Sequence, residues 1–391
     1  MKQTTVQPPA KPAVAPETAR MKSAFSRGGL SVVTLYGTIA KGESISIILM
    51  MMIGVAWMLF RPLPDFDFRA ALQDPGMIFD MLSGSGMIGT LLTVFLLCQA
   101  VCWIVGFSMM RLVLPKRVPV EKRTLPFGRF LLVALLCFGV WGVGAALGNL
   151  SSFFGAEIDS VFSVETLGKN ILPYLIYAVI GAPILEELTF RKALLDGLHE
   201  YHEGYAAVIS ALLFGIMHGN HMQFFLAFFI GLIFAMVYQR TGRVIYSMLL
   251  HAMINFTATI PELLSLYGID ISRAWNIAVL ALIVAGLIAL LALRRDPLLH
   301  APKCTVPDAN RAVYKNLGMR IVRIAGSVLI VAQGLLMIGM GILQDPANLF
   351  GYLTGLIPLA LSLLTILLLP KFTKRYEAKP EPPAAPEEEN V

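Results

Sequence analysis

The sequence has little charge. Only 14% of its 391 residues are Asp, Glu, Lys or Arg, whereas 57% are hydrophobic, and the mean hydropathy is +0.72. Soluble globular domains carry more charge and fewer apolar residues, so the composition excludes an ordinary soluble domain and predicts a polytopic membrane protein. The chain also lacks a basic face with interleaved aromatic residues, so we expect no nucleic-acid partner.

Cysteine is scarce as well. The chain has four, Cys98, Cys102, Cys137 and Cys304, and the first three lie within apolar segments. Small buried thiols are more common in such segments than disulfides or metal ligands. We therefore assign the cysteines no chemistry.

We also expect no cleavable signal sequence. The N-terminal stretch is polar and proline-bearing, with no apolar segment followed by a small-residue cleavage site. We predict that residues 1–41 form a disordered cytoplasmic tail. Residues 371–391 are rich in Pro and Glu, cannot bury enough apolar surface to fold, and are predicted to form a second disordered cytoplasmic tail.

Long apolar segments dominate the rest of the chain. A membrane span needs about 20 helical residues, and ten segments are candidates: 43–60, 87–110, 129–148, 171–197, 204–219, 221–239, 244–260, 275–293, 321–343 and 348–369. They predict an all-α fold, a polytopic transmembrane helical bundle of about ten spans. Residues 42–293 would form the membrane-embedded domain, 294–320 a cytoplasmic loop, and 321–370 a C-terminal transmembrane hairpin.

The distribution of charge between the spans predicts their orientation. With ten spans, every cluster of Lys and Arg falls on one side: 2–41, 111–123, 240–243, 294–320 and 371–375. The first two intervening loops carry Asp and Glu instead. Since basic loops remain cytoplasmic, both termini are expected in the cytoplasm, and the formal net charge of +6 is a feature of membrane orientation.

Ionisable side chains within spans are costly and are therefore candidates for function. Glu187 and Arg191 are four residues apart on a predicted helix and can pair there, as a structural brace or as part of a catalytic site. Glu186 has no partner at one helical turn. A carboxylate in a low-dielectric cavity is a stronger base than in water, so Glu186 is the candidate general base.

Two further motifs follow in the next spans. Phe214 and His218 are one turn apart, as are His251 and Asn255. His218 could be an ordinary interfacial residue, and His251 and Asn255 could simply bridge helices. At about 1.5 Å per helical residue, however, Glu186, His218 and the His251 motif all lie roughly 12–21 Å from the cytoplasmic turns. We therefore expect them to share one layer.

The ordered motifs EExxxR (Glu186, Glu187, Arg191), FxxxH (Phe214, His218) and HxxxN (His251, Asn255) resemble those of the CAAX protease and bacteriocin-processing family of intramembrane proteases, also called the CPBP or Abi family. The resemblance covers residues 165–260. It implies an eight-helix protease core, to which the C-terminal hairpin would be an addition.

The resemblance also implies roles for these residues. Glu186 would activate a water that His218 helps to hold, His251 and Asn255 would stabilise the oxyanion, and Arg191 with Glu187 would fix the catalytic helix. The sequence has no Ser or Cys nucleophile set, which also favours direct attack by water. No cofactor is favoured, although Glu186, His218 and His251 could alternatively form a Zn2+ site.

These observations predict an intramembrane endopeptidase of the CAAX protease type, with lipid around it and a peptide or membrane-protein substrate. The basic N-terminal stretch and the absence of an ER-retention signal favour a bacterial inner (plasma) membrane. A non-catalytic membrane scaffold or immunity protein is the alternative. A transporter is disfavoured because the polar residues concentrate in spans four to seven and no paired repeat is visible.

Overall fold

The computed structural model describes residues 16–60, 87–114, 119–153, 171–199, 203–218 and 221–298. They form eight helices: α1 (Pro16–Phe60), α2 (Met87–Val113), α3 (Phe127–Phe153), α4 (Ile171–Leu198), α5 (Glu203–Met217), α6 (His221–Thr241), α7 (Val244–Ser265) and α8 (Ser272–Leu293). The prediction of an all-α fold is confirmed, and each of the first eight predicted spans coincides with a helix. The two predicted C-terminal spans and the C-terminal tail lie outside the described residues.

Six of these helices are long and apolar enough to cross a membrane, namely α2, α3, α4, α6, α7 and α8. The apolar part of α5, Ala206–Met217, is shorter. A helix buried among other helices can span less hydrocarbon than one exposed to lipid. The polytopic bundle is thus confirmed, whereas the total of ten spans and the orientation of the termini stay predictions.

The N-terminal region corrects one prediction. Residues 16–41, which we expected to be disordered, form the first half of α1. Ala24, Val32, Leu35 and Ile39 recur at helical spacing and are buried, because this face of α1 packs along α2. Arg27 Nε also donates to the Val113 carbonyl at the end of α2, at 2.9 Å. The average polarity of this stretch concealed its apolar face.

Helices α3 and α8 pack closely through two glycines. A Cβ at Gly139 would lie 2.6 Å from the Gly286 Cα, so neither position can accept a side chain without moving a helix. Trp141 and Trp275 meet edge to face nearby, with ring centroids 5.9 Å apart. Buried residues of α3 and α8 form one apolar core with buried residues of α6 and α7. This core holds the helices in place.

Helix α4 is not a regular α-helix. Its turns at Tyr177–Gly181 and Leu188–Leu195 are π-helical, and the α-helical turn Ala182–Glu187 lies between them. Pro183 has no N–H to contribute to the helical ladder. Such π-turns shift the register of a helix and occur frequently at functional sites. Both predicted catalytic glutamates lie on the turn that these two shifts enclose.

Candidate active site

The carboxylate of Glu187 is entirely buried and lies close to two ionisable side chains of opposite charge type. Its Oε2 lies 3.1 Å from Arg191 Nε, and its Oε1 lies 3.2 Å from His251 Nδ1. The first contact is an ion pair whose N–H is not aligned for a hydrogen bond. Glu187 therefore connects its own helix α4 to α7.

Arg191 is also wholly buried, and its charge is compensated from three directions. Besides Glu187, its NH1 donates to Ser210 Oγ of α5 at 3.4 Å. Its guanidinium carbon lies 4.7 Å from the centre of the Phe214 ring, a cation–π distance. Ser210 in turn donates to the Phe190 carbonyl at 2.9 Å. This buried cluster fixes α4 against α5.

Glu186 has a different environment, although it is the next residue. Its side chain is 17% exposed and lines a cavity. Its Oε2 receives no hydrogen bond from any described residue and lies 3.8 Å from His251 Nε2. That separation is too long for a direct hydrogen bond and short enough for one water to contact both atoms.

His251 lies between the two glutamates. Its ring packs against Phe214 and Phe234, with centroids 5.7 and 5.5 Å away. One turn later on α7, Asn255 Nδ2 donates to the Ala178 carbonyl at 2.7 Å. That carbonyl belongs to the first π-turn of α4. One amide hydrogen of Asn255 therefore supports the distorted helix that carries Glu186.

His218 follows the last residue of α5, at the same cavity as Glu186. Its Nδ1 lies 2.9 Å from the Phe214 carbonyl. Since a carbonyl can only accept, Nδ1 carries the proton, and in the neutral ring Nε2 is left as an acceptor. The Phe214 ring contacts the rings of both histidines, at centroid distances of 4.9 Å (His218) and 5.7 Å (His251).

The cavity has a volume of about 250 Å³ and is lined by Ile39, Phe95, Leu96, Gln99, Trp103, Tyr174, Tyr177, Glu186, Phe190, Phe214, Met217 and His218. Helix α2 supplies four of these residues, none of which sequence analysis identified. Gln99 could have been found, because a lone glutamine in an apolar span is the same signal that identified His251 and Asn255. The aromatic residues carry no such signal.

The alternative zinc site would draw on Glu186, His218 and His251. Within the described part of the chain, no three His, Cys, Asp or Glu side chains are grouped closely enough to hold a metal ion. The rings of His218 and His251 both contact the Phe214 ring, and each histidine directs Nδ1 to a protein oxygen.

Comparison with known proteins identifies the segment that contains this site. Residues 168–257 match the family of type II CAAX prenyl endopeptidases, Rce1-like. Through this segment, the chain is similar to the CAAX protease family. The matched residues include all three motifs from which the resemblance was inferred, and they extend from the start of α4 into α7.

A relative in Bacillus subtilis (strain 168), the candidate membrane peptidase YdiL, is 31% identical to the chain over 110 residues. The alignment covers 28% of this chain and 45% of the relative, so the chain spans less than half of that protein. No solved structure matches the chain. The comparisons support a membrane peptidase at the level of the family.

Proposed function

We propose that this CAAX-type membrane protease is an endopeptidase that hydrolyses a peptide bond with a water activated by Glu186. The contrast between the two glutamates carries the proposal. The Glu187 carboxylate lies 3.1 Å from Arg191 Nε and 3.2 Å from His251 Nδ1. Glu186 instead faces a cavity, and its Oε2 has one ionisable partner among the described residues, His251 Nε2 at 3.8 Å. A carboxylate that is buried but free of hydrogen-bonded protein partners is available to take a proton from water.

His218 and His251 are placed to hold that water and the group that it attacks. The Nε2 of neutral His218 can accept a hydrogen bond from the water. Because the Glu187 carboxylate accepts from His251 Nδ1, His251 Nε2 donates only when both of its nitrogens carry protons. In that form it can stabilise the oxyanion, and the second amide hydrogen of Asn255 can assist.

In the proposed reaction, Glu186 acts first as a base and then as an acid. Glu186 takes one proton from water as the water oxygen bonds to the peptide carbonyl carbon, which forms a tetrahedral oxyanion. Collapse of the oxyanion breaks the C–N bond, and Glu186 gives its proton to the departing nitrogen. The products are one carboxyl terminus and one amine terminus, and Glu186 returns to its starting state.

The proposed setting is a bacterial inner membrane, with both termini in the cytoplasm. Lipid would surround the helices, and the substrate would be a peptide or the segment of a membrane protein. These proposals are supported by the basic loops and by the family relationship.

The test is comparative peptidomics of cells that carry the wild type or Glu186→Gln, with Glu203→Gln as the matched control. Gln has nearly the shape of Glu but cannot act as a base, so the cleavage products should disappear only in Glu186→Gln. Glu203 pairs with Arg240 at the end of α6 and does not line the cavity. Unchanged peptides in a folded Glu186→Gln protein would favour the scaffold alternative. Metal analysis of the purified wild type tests the zinc alternative.

A further inference from the structure

Gln99 is a buried polar residue that the proposed mechanism does not use. It lies on α2, is only 5% exposed, and lines the same cavity as Glu186 and His218. Its Nε2 donates to no acceptor within the described part of the chain. A buried donor without an acceptor destabilises the folded protein, and native structures pair most such groups. The cavity is the place from which an acceptor can reach it.

The neighbours of Gln99 indicate what kind of acceptor fits. Phe95, Gln99 and Trp103 are spaced by one helical turn and face the cavity together, opposite residues of α4 that include Tyr174 and Tyr177. None of these five side chains is charged at neutral pH. An uncharged amide donor among aromatic rings suits a neutral carbonyl oxygen that is flanked by apolar groups, as in a peptide backbone with apolar side chains.

We propose that Gln99 is a substrate-binding residue, which donates a hydrogen bond from Nε2 to a backbone carbonyl of the bound peptide. The proposal rests on the proposed peptidase function and names a contact made from the opposite side of the site. Glu186, His218 and His251 come from α4 to α7, whereas Gln99 comes from α2, outside the family match at 168–257. The peptide would then lie between α2 and α4.

Gln239 provides a matched control. It is a glutamine of similar burial, 7% exposed, but its Nε2 donates to the Glu203 carbonyl at 2.8 Å, and it does not line the cavity. Gln99→Leu thus removes a donor that has no acceptor among the described residues, whereas Gln239→Leu makes the same chemical change at a donor that has one. Both are made in the full chain, purified in detergent.

The first measurement is thermal stability. Gln99→Leu should keep or raise the melting temperature, because an unpaired amide is replaced by an apolar group, whereas Gln239→Leu should lower it. The second is the kinetics of cleavage of an internally quenched peptide, chosen from a synthetic library because the wild-type protein cleaves it. We expect kcat/KM to fall about tenfold for Gln99→Leu, mainly through KM, and to stay unchanged for Gln239→Leu. A lower melting temperature with unchanged KM would make Gln99 structural and overturn the proposal.

A third measurement separates this proposal from the proposed function. In the Glu186→Gln background, which keeps the cavity but lacks the base, the same peptide should raise the melting temperature, and adding Gln99→Leu should remove most of that rise. If Glu186→Gln still cleaves the peptide, the proposed function fails. If Glu186→Gln is inactive but the peptide still raises the melting temperature after Gln99→Leu is added, the proposed peptidase function stands and the proposed role of Gln99 is refuted.

Discussion

The two sides of α4 place their polar side chains in different surroundings. On one, which we call the sealed side, Glu187, Arg191, Ser210 and the Nδ1 of His251 are buried in mutual contact. On the other, the cavity side, Glu186 Oε2 lies no closer than 3.8 Å to an ionisable partner among the described residues, and Gln99 Nε2 has no hydrogen-bond partner among them. His218 lines the same cavity. The boundary passes between two consecutive glutamates.

The difference shows that chemically identical side chains take different roles through helix geometry. Residues 186 and 187 point about 100° apart on a helix of 3.6 residues per turn. Glu187 therefore meets the partners that compensate its burial, whereas Glu186 is turned to the cavity. Polar groups of the sealed side compensate one another's burial, whereas those of the cavity side are expected to lower stability because they lack such partners.

The largest effect is expected on the sealed side. Glu187→Gln removes the charge that compensates buried Arg191, so the free energy of unfolding should fall by about 3–5 kcal/mol, measured by denaturation in detergent. Glu203→Gln is the control, since its pair with Arg240 is partly exposed and should contribute about 1 kcal/mol or less.

The double variant Glu187→Gln, Arg191→Met sharpens this result. Removing both charges should restore part of the lost stability, because no uncompensated charge then remains buried. Equal losses for Glu187→Gln and Glu203→Gln would contradict the distinction between the two sides.

On the cavity side, a change should reduce activity while sparing the fold. In His218→Asn, the amide nitrogen can keep the contact that Nδ1 makes with the Phe214 carbonyl, but nothing replaces Nε2. We expect kcat/KM to fall about 10²-fold, with little change in melting temperature. His218→Gln, which places a polar atom nearer to Nε2, should retain more activity. If His218→Asn is as active as the wild type, His218 does not hold the water.

Asn255 connects the two sides. Asn255→Leu leaves the Ala178 carbonyl of the π-turn without this donor, and we expect a loss of about 2 kcal/mol in unfolding free energy together with reduced activity. Thr257→Val, at a half-buried threonine of the same helix whose hydroxyl bonds its own helix, should change stability by about 0.5 kcal/mol or less. Lower activity with full stability would assign Asn255 to the oxyanion alone.

The smallest effect is expected at Ser210. Ser210→Ala removes one acceptor from Arg191 and one donor to the Phe190 carbonyl, so unfolding free energy should fall by about 1 kcal/mol, with nearly unchanged kcat/KM. Ser108→Ala, at an exposed serine of α2 with a similar bond to its own helix, is the comparison and should have almost no effect. A large loss of activity in Ser210→Ala would mean that the sealed side also tunes the chemistry.

Much of the site was predictable because its motifs are local. Glu187 and Arg191 are one turn apart, and His251 and Asn255 lie on an apolar helix where polar groups stand out. Counting residues from the turns predicted that they share one layer. In the structure, Glu186 and Glu187 both lie near His251. The part of α1 before residue 42 was not predicted, because its apolar residues are sparse and their helical pattern is explained only by packing against α2.

By itself, the sequence determined the helices and the one-turn spacing of the motif residues, since apolar length and helical spacing are local properties. Only the tertiary structure decided the partners. Asn255 bonds a backbone carbonyl exposed by a π-turn, and Gln99 reaches the cavity from a helix that precedes the motifs by some 80 residues. Such contacts depend on how helices pack and where their hydrogen-bond registers shift, and neither leaves a mark in the spacing of residues along one chain segment.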